Sequence, residues 1–361
     1  MPLSKIQGIE GQVTPNLSHR NLVINGAMQV AQRGTVTGAT DGTYGGPDRF
    51  SINETGDLVV TLSQDTDTPT GSGFSNSMKI DVTTADSSLA AGDFAYLGHR
   101  FEGQDLQLLK KGTSSAESVT LSFWIKTSVT GTYILQIYDN DNSRHISKSY
   151  TVSSADTWEH KTITFAGDTT GTLDDDNAYS LQLYWWLAAG STYTAGTLAT
   201  SWASFTSANA AVGQVNAINS TSNNIYITGV QLELGETATP FEHRSYGDEL
   251  FSCQRYYSHA LTVVGVGAST TSVNAWATFP RQFRATPTYS ASGALNFSDG
   301  YSTDYLQSSG AVGAINGAPD GSPAQFLTFS NFSSANVTQG RFMAFPRNLS
   351  NNNRLVADAE L

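Results

Sequence analysis

The sequence predicts an all-β protein: an N-terminal arm, a jelly-roll β-sandwich, then a smaller C-terminal β-sandwich domain. Three observations predict it. Short runs rich in Thr, Val, Tyr and Phe recur between clusters of Gly, Ser and Asn, which is the composition and spacing of strands and turns. No long stretch carries the 3.6-residue apolar period of a helix. Aromatic residues reach 11%, enough to fill sandwich cores, while charged residues make up only 14%, against roughly 25% in ordinary globular chains.

The elements follow in order. Residues 1–20 are polar and irregular, broken by Pro2, Gly8, Gly11 and Pro15, and read as an arm that orders on a partner. Residues 21–235 read as the jelly roll. It opens with short apolar runs on either side of the turn dipeptide Asn25-Gly26. Strands are then expected over Leu58–Ser63, Ser77–Val82, Ala95–Phe101, Val119–Thr127, Thr132–Tyr138, His145–Val152, His160–Phe165, Tyr179–Leu187 and Asn224–Leu234. Asp139–Asn142 between two of them predicts a hairpin. Helical patches are confined to Gln104–Lys111 and Ala208–Ala217.

The stretch Ile225–Leu234 changes phase. Ile225 and Ile227 alternate on one parity, Val230, Leu232 and Leu234 on the other. Side chains alternate faces along a strand, so both sets reach one core only through a bulge, placed at Gly229. Residues 236–250, punctuated by Pro240, read as a linker. Residues 251–361 form the second β unit, with strands over Cys253–His259, Thr262–Val266, Asn274–Phe279, Thr288–Ser292, Gln325–Phe332 and Gly340–Phe345.

Composition excludes several classes. A net charge of −12 with no dense basic patch argues against nucleic-acid binding. A single cysteine, Cys253, excludes an intrachain disulfide. No apolar run is long enough for membrane insertion, and the first twenty residues lack the apolar segment of a signal peptide. No nucleophile elbow, zinc-binding helix motif, phosphate loop or dinucleotide fingerprint is present, and the histidines are scattered. The expectation is a protein that is not an enzyme.

Two groups of residues are candidates for binding. Tyr184-Trp185-Trp186, with Tyr193 and Trp202, is the sharper one. Adjacent strand residues face opposite sides, so Trp185 and Trp186 cannot both be core; one faces solvent, a loop or another subunit. Exposed aromatic rings stack on the apolar faces of sugars, which makes these five residues a candidate glycan site. Asp139 and Asp141, in Asp139–Asn142, are candidate ligands for a structural Ca2+, a hard cation that wants several oxygens. The same residues also suit an ordinary turn, and no other cofactor is expected.

A resemblance adds to this reading. Asn21-Leu22-Val23-Ile24-Asn25-Gly26-Ala27-Met28-Gln29-Val30-Ala31-Gln32-Arg33-Gly34, followed by Asp48-Arg49-Phe50, resembles the opening of tail-fibre and related virion-fibre proteins of tailed bacteriophages. Gly229–Gly235, Pro240-Phe241-Glu242, Cys253-Gln254-Arg255-Tyr256-Tyr257, Phe279-Pro280 with Arg284–Thr288, and the terminal Ala357–Leu361 resemble its later parts. The likeness runs from about residue 21 to the end, and Phe50 departs from it where Trp is commoner. It implies a carbohydrate-binding-module-like jelly roll followed by a small β domain, carried on a phage particle as a homotrimer.

The expected function is that of a structural virion fibre or adhesin. It would attach to other virion proteins through residues 1–20, be made in the host cytoplasm without a signal peptide, and recognise host surface glycan. A head decoration or adaptor protein without a receptor role is the alternative, and a polysaccharide depolymerase stands behind it.

Overall fold

The computed structural model describes residues 20–269, 271–291, 296–298, 304–306, 312–314, 322–329, 342–344 and 354–361. All but the last residue of the predicted arm lies outside the described residues, as do the ends of several strands expected in the second β unit. The first part of the chain forms β1 Val36–Ala39, β2 Thr43–Tyr44, β3 Ser51–Thr55, β4 Val59–Asp65, β5 Ser77–Thr84, β6 Phe94–Glu102, β7 Val119–Thr127, β8 Gly131–Asp139, β9 Arg144–Val152, β10 Glu159–Phe165, β11 Tyr179–Ala189, β12 Ala203–Ser204 and β13 Asn224–Leu234. A six-stranded sheet in the order β1-β4-β5-β13-β7-β10 packs on a seven-stranded sheet in the order β12-β9-β8-β11-β6-β3-β2. Their pairings are antiparallel.

Period-2 alternation fills the space between the sheets. Leu121, Phe123 and Ile125 of β7 face Leu181, Leu183 and Trp185 of β11 in one buried cluster. The hairpin forms as expected, with Asp139 opposite Arg144 and the register unbroken to Gly131 opposite Val152. In β13 the pairing with β7 shifts between Thr228 and Gln231. Gly229 sits at φ +62°, and a Cβ there would stand 2.6 Å from the Phe74 ring. The bulge buries Ile225 and Ile227 before it and Val230 and Leu232 after it. The two expected helical patches are short 3-10 turns, Gly103–Asp105 with Gln107–Leu109 and Ser207–Asn209.

The second part departs from expectation at its start. Residues Tyr246–Cys253 are a helix, so Cys253 closes a helix rather than opening a strand. Ser245 caps it, its hydroxyl accepting from the Asp248 amide at 3.2 Å and donating to the Asp248 carboxylate at 2.7 Å. The strands that follow are β14 Tyr257–His259, β15 Thr262–Ser269, β16 Ser272–Thr278, β17 Thr288–Ala291, β18 Asn296–Ser298, β19 Asp304–Leu306, β20 Val312–Ala314, β21 Ala324–Phe329, β22 Phe342–Ala344 and β23 Leu355–Asp358. A three-stranded sheet β14-β23-β17 and a seven-stranded sheet β19-β18-β22-β15-β16-β21-β20 share a second core that includes Val273, Leu327, Phe329 and Leu355. None of the helices among the described residues is long and apolar enough to cross a membrane.

A dense polar joint ties the two cores together. Arg49 is buried and ion-paired to Glu360, with its guanidinium 3.4 Å from the centre of the Tyr256 ring. Arg33 contacts Glu360 at 3.1 Å and Asp358 at 3.0 Å, and stacks on Tyr257. Arg255 holds Glu102 through two bonds of 2.7 and 2.6 Å. Burial resists ionisation of Glu102, but the bonds from Arg255 and Tyr256 outweigh it and hold its carboxyl below the usual range. Nearby, the Asn25 amide donates to Glu249 at 2.6 Å and the Asn21 amide to Glu242 at 2.7 Å. Residues 236–250 are thus fastened to the opening segment of the jelly roll.

Candidate functional site on the outer face of the seven-stranded sheet

The side of β11 turned away from the core carries Gln182, Tyr184 and Trp186. Cross-strand pairing sets these beside Tyr138 and Gln136 of β8 and Tyr96 and Arg100 of β6. The rings form a diagonal ladder. Tyr96 and Tyr184 stack with centroids 4.0 Å apart and planes 5° from parallel. Phe94 continues the ladder from Tyr96 at 5.6 Å, and Tyr138 continues it from Tyr184 at 6.0 Å. Both stacked tyrosines are half-buried. Burial pushes the Tyr96 hydroxyl up to about 12 and the Tyr184 hydroxyl higher still, so both remain protonated at neutral pH.

Amides and hydroxyls flank the rings. Gly98 lies mid-strand in β6 between Tyr184 and Ser51. A Cβ there would stand 2.6 Å from Gln182 Nε2 and 3.0 Å from Asn53 Nδ2. The glycine therefore makes room for side chains that converge from both neighbouring strands. At the far edge Tyr44 and Arg100 both donate to the main-chain oxygen of Leu361.

The other flank is roofed by residues 190–217. This lid contains the short helix Ser191–Thr194 and β12. It is held by the Ser147 hydroxyl on Ala210 O at 2.8 Å and by the Ile134 amide on Gln214 Oε1 at 2.8 Å. Beneath it Trp186 donates to Gln136 Oε1 at 2.9 Å, and Gln136 Nε2 lies 3.1 Å from His145 Nδ1. Burial pushes the His145 imidazole down to about 4, so it is neutral at physiological pH.

The structure sorts the five aromatic candidates. Trp185 is 0% exposed and packs in the sandwich core against Phe50 and Phe123. It cannot stack on a ligand, because its strand parity points it inward. Trp186 faces outward but is 2% exposed, since the lid covers it; Tyr193 of the lid packs on it at 5.4 Å. Of the five, Tyr184 lies in the ladder. Trp202 belongs to the lid segment but faces away from the ladder towards Ala166 and Lys111, its Nε1 donating to Ala166 O at 2.7 Å. Sequence reasoning missed Phe94 and Tyr96, although their spacing matches that of Tyr184 and Trp186 and places both pairs on one face.

Asp139 and Asp141 do not converge on a cation position. Asp139 is buried and ion-paired to Lys111. The same ammonium lies 3.1 Å from Asp168 and donates to Thr170 O at 3.1 Å and Gly171 O at 2.9 Å. The Lys111 ammonium thus sits among the oxygens that surround Asp139. Asp141 instead accepts from the Asp174 amide at 3.0 Å. Among the described residues no group of three or more His, Cys, Asp or Glu side chains is gathered to hold a metal. A cavity of about 260 Å³ beside the joint is lined in part by Arg255 and Arg281. Arg255 is already engaged by Glu102, and Arg281 donates to Phe251 O at 2.6 Å.

No family model and no curated protein sequence matches the chain. Several solved structures are similar to it. One is the enzymatically active domain of tailspike protein 4 of bacteriophage CBA120, at 17% identity over 60% of this chain and 21% of that one, with a TM-score of 0.33. The chain therefore spans about a fifth of that protein's length. A putative sugar binding protein from Bacteroides thetaiotaomicron matches at 15% identity over 60% of this chain and all of that one, with a TM-score of 0.32. A family 11 carbohydrate-binding module of a cellulosomal cellulase of Clostridium thermocellum matches at 14% identity over 57% of this chain and 98% of that one, with a TM-score of 0.29.

Proposed function

We propose that this protein is a non-enzymatic, glycan-recognising fibre or adhesin of a tailed-bacteriophage virion. The observation that carries the reading is the stacked Tyr96–Tyr184 pair on an outer sheet face, flanked by the amides of Gln182 and Asn53. The rings stack on one another, so the ladder turns ring edges and hydroxyls outward, and these with the neighbouring amides meet the hydroxyl groups and C–H edges of a sugar. The centre of the face offers rings, amides and hydroxyls, groups that bind a sugar without cleaving it. Residues 1–20 would attach the chain to other virion proteins, and the jelly roll to residue 235 and the unit from 251 would project from the particle. A homotrimer, as the resemblance implies, would multiply a weak affinity per site.

Binding of the purified protein to host envelope fractions and to a glycan array tests the reading, together with antibody labelling of intact particles. Saturable glycan binding and a fibre-like label are expected. Labelling of the head with no binding to any envelope fraction would favour the decoration role. New reducing ends released from host capsule or lipopolysaccharide would point to a depolymerase.

A further inference from the structure

Among the described residues, nothing covers one face of the sheet of the second unit. Val263, Val273, Ala275, Leu327 and Phe329 point into its core. The alternate positions point out, and there Trp276 is 53% exposed, Phe342 62% and Val266 45%. Pairing makes these residues neighbours. Trp276 lies opposite both Val264 and Phe326, and Val266 lies opposite Phe342. The Trp276 and Phe326 ring centres are 4.9 Å apart. Single exposed apolar residues are ordinary, but a contiguous aromatic cluster across several strands marks an interaction surface.

Charge says what covers it. The chain carries a net −12, so two copies repel through most surfaces they could present. Every outward position of the described parts of β15, β16, β21 and β22 is uncharged. A symmetric assembly sets like patches near one another, which a charged face resists and this one permits. Among the described residues the face is also poor in the convergent amides that flank Tyr96 and Tyr184, so it suits apolar packing better than a sugar.

We infer that this face of the second unit, centred on Trp276, Phe326 and Phe342, is where copies of this chain pack on one another. The inference rests on the multi-copy reading proposed above and assigns it a surface.

Sedimentation velocity of the full chain at micromolar concentration, with glycan binding read in parallel, tests it. The wild type should sediment as an oligomer. Trp276→Asp should sediment as a monomer with unchanged far-UV circular dichroism and retained glycan binding. Asn274→Asp, a near-isosteric change on the same face with little risk to folding, should weaken association by about tenfold, or 1.4 kcal/mol. A monomeric wild type would overturn both this inference and the multi-copy reading. An oligomer that survives both substitutions would overturn the choice of face alone. Loss of glycan binding with the oligomer intact would make the face a receptor surface and overturn the inference.

Discussion

At the joint, arginines meet carboxylates: Arg33 and Arg49 share Glu360, and Arg255 takes Glu102. On the outer face of the jelly roll, rings meet rings, with Tyr96 on Tyr184 and Phe94 on Tyr96. The joint is buried and paired; the face is half-open and keeps amides beside its rings. The motifs by which the chain resembles virion-fibre proteins fall on the first region. Asn21, Asn25, Gln32, Arg33, Asp48, Arg49, Arg255, Tyr256, Tyr257, Asp358 and Glu360 all make contacts there. Those residues fasten the two units, while the ring ladder is built from residues outside the motifs.

The largest expected effect breaks the joint. Glu360→Ala leaves Arg49 buried without its carboxylate and should cost about 3–5 kcal/mol, the usual result of removing one partner of a buried pair. Urea melts would measure it, and glycan binding per folded molecule should not change. Within the jelly roll, Trp185→Ala should destabilise by about 3–5 kcal/mol through loss of core packing. Tyr184→Ala should instead lower glycan affinity about tenfold, or ~1.4 kcal/mol, with a much smaller change in Tm. Equal losses of stability from the two substitutions would erase the distinction between core and face.

Acid should separate the regions further. His145 drops from 6.5 to about 4 in the folded state, so the unfolded chain binds the extra proton between those values. The stability it contributes is complete above pH 6.5 and is lost as pH falls towards 4, by ~3 kcal/mol at ~1.4 kcal/mol per unit. His99, fully buried beside Arg49 at the joint, is also driven down by burial, then by the Arg49 charge, and acts in the same direction. In thermal melts across this range, His145→Gln should flatten part of the slope and leave the His99 part. The smallest effect concerns calcium. Because the Lys111 ammonium already pairs with Asp139, chelation should leave Tm unchanged, whereas a clear fall would establish the calcium reading.

Much of the fold was legible because it is local. Val119–Thr127 and Asn224–Leu234 matched their strands, since period-2 alternation and flanking turn residues act within a few positions. The bulge at Gly229 could be read from a parity change alone. The helix Tyr246–Cys253 escaped notice, although Ser245 and Asp248 carry the spacing of a capping box. Parity also showed that Trp185 and Trp186 face opposite ways. It could not show that residues 190–217 fold over Trp186, because that lid is irregular and held by distant contacts such as Ser147 with Ala210. The pairing of Lys111 with Asp139 was hidden for the same reason.

The joint has a consequence for the order in which the molecule is made. Glu360 is 311 positions from Arg49 and 327 from Arg33, so its ion pairs are among the longest-range contacts in the chain. On the ribosome the jelly roll can close around its own core while these arginines still lack their carboxylate. Contacts of such separation form late, because a long loop must be closed before they contribute. The joint therefore completes only after residue 360 has emerged, and a chain cut short before Asp358 would carry a formed sandwich in which both arginines lack these carboxylates.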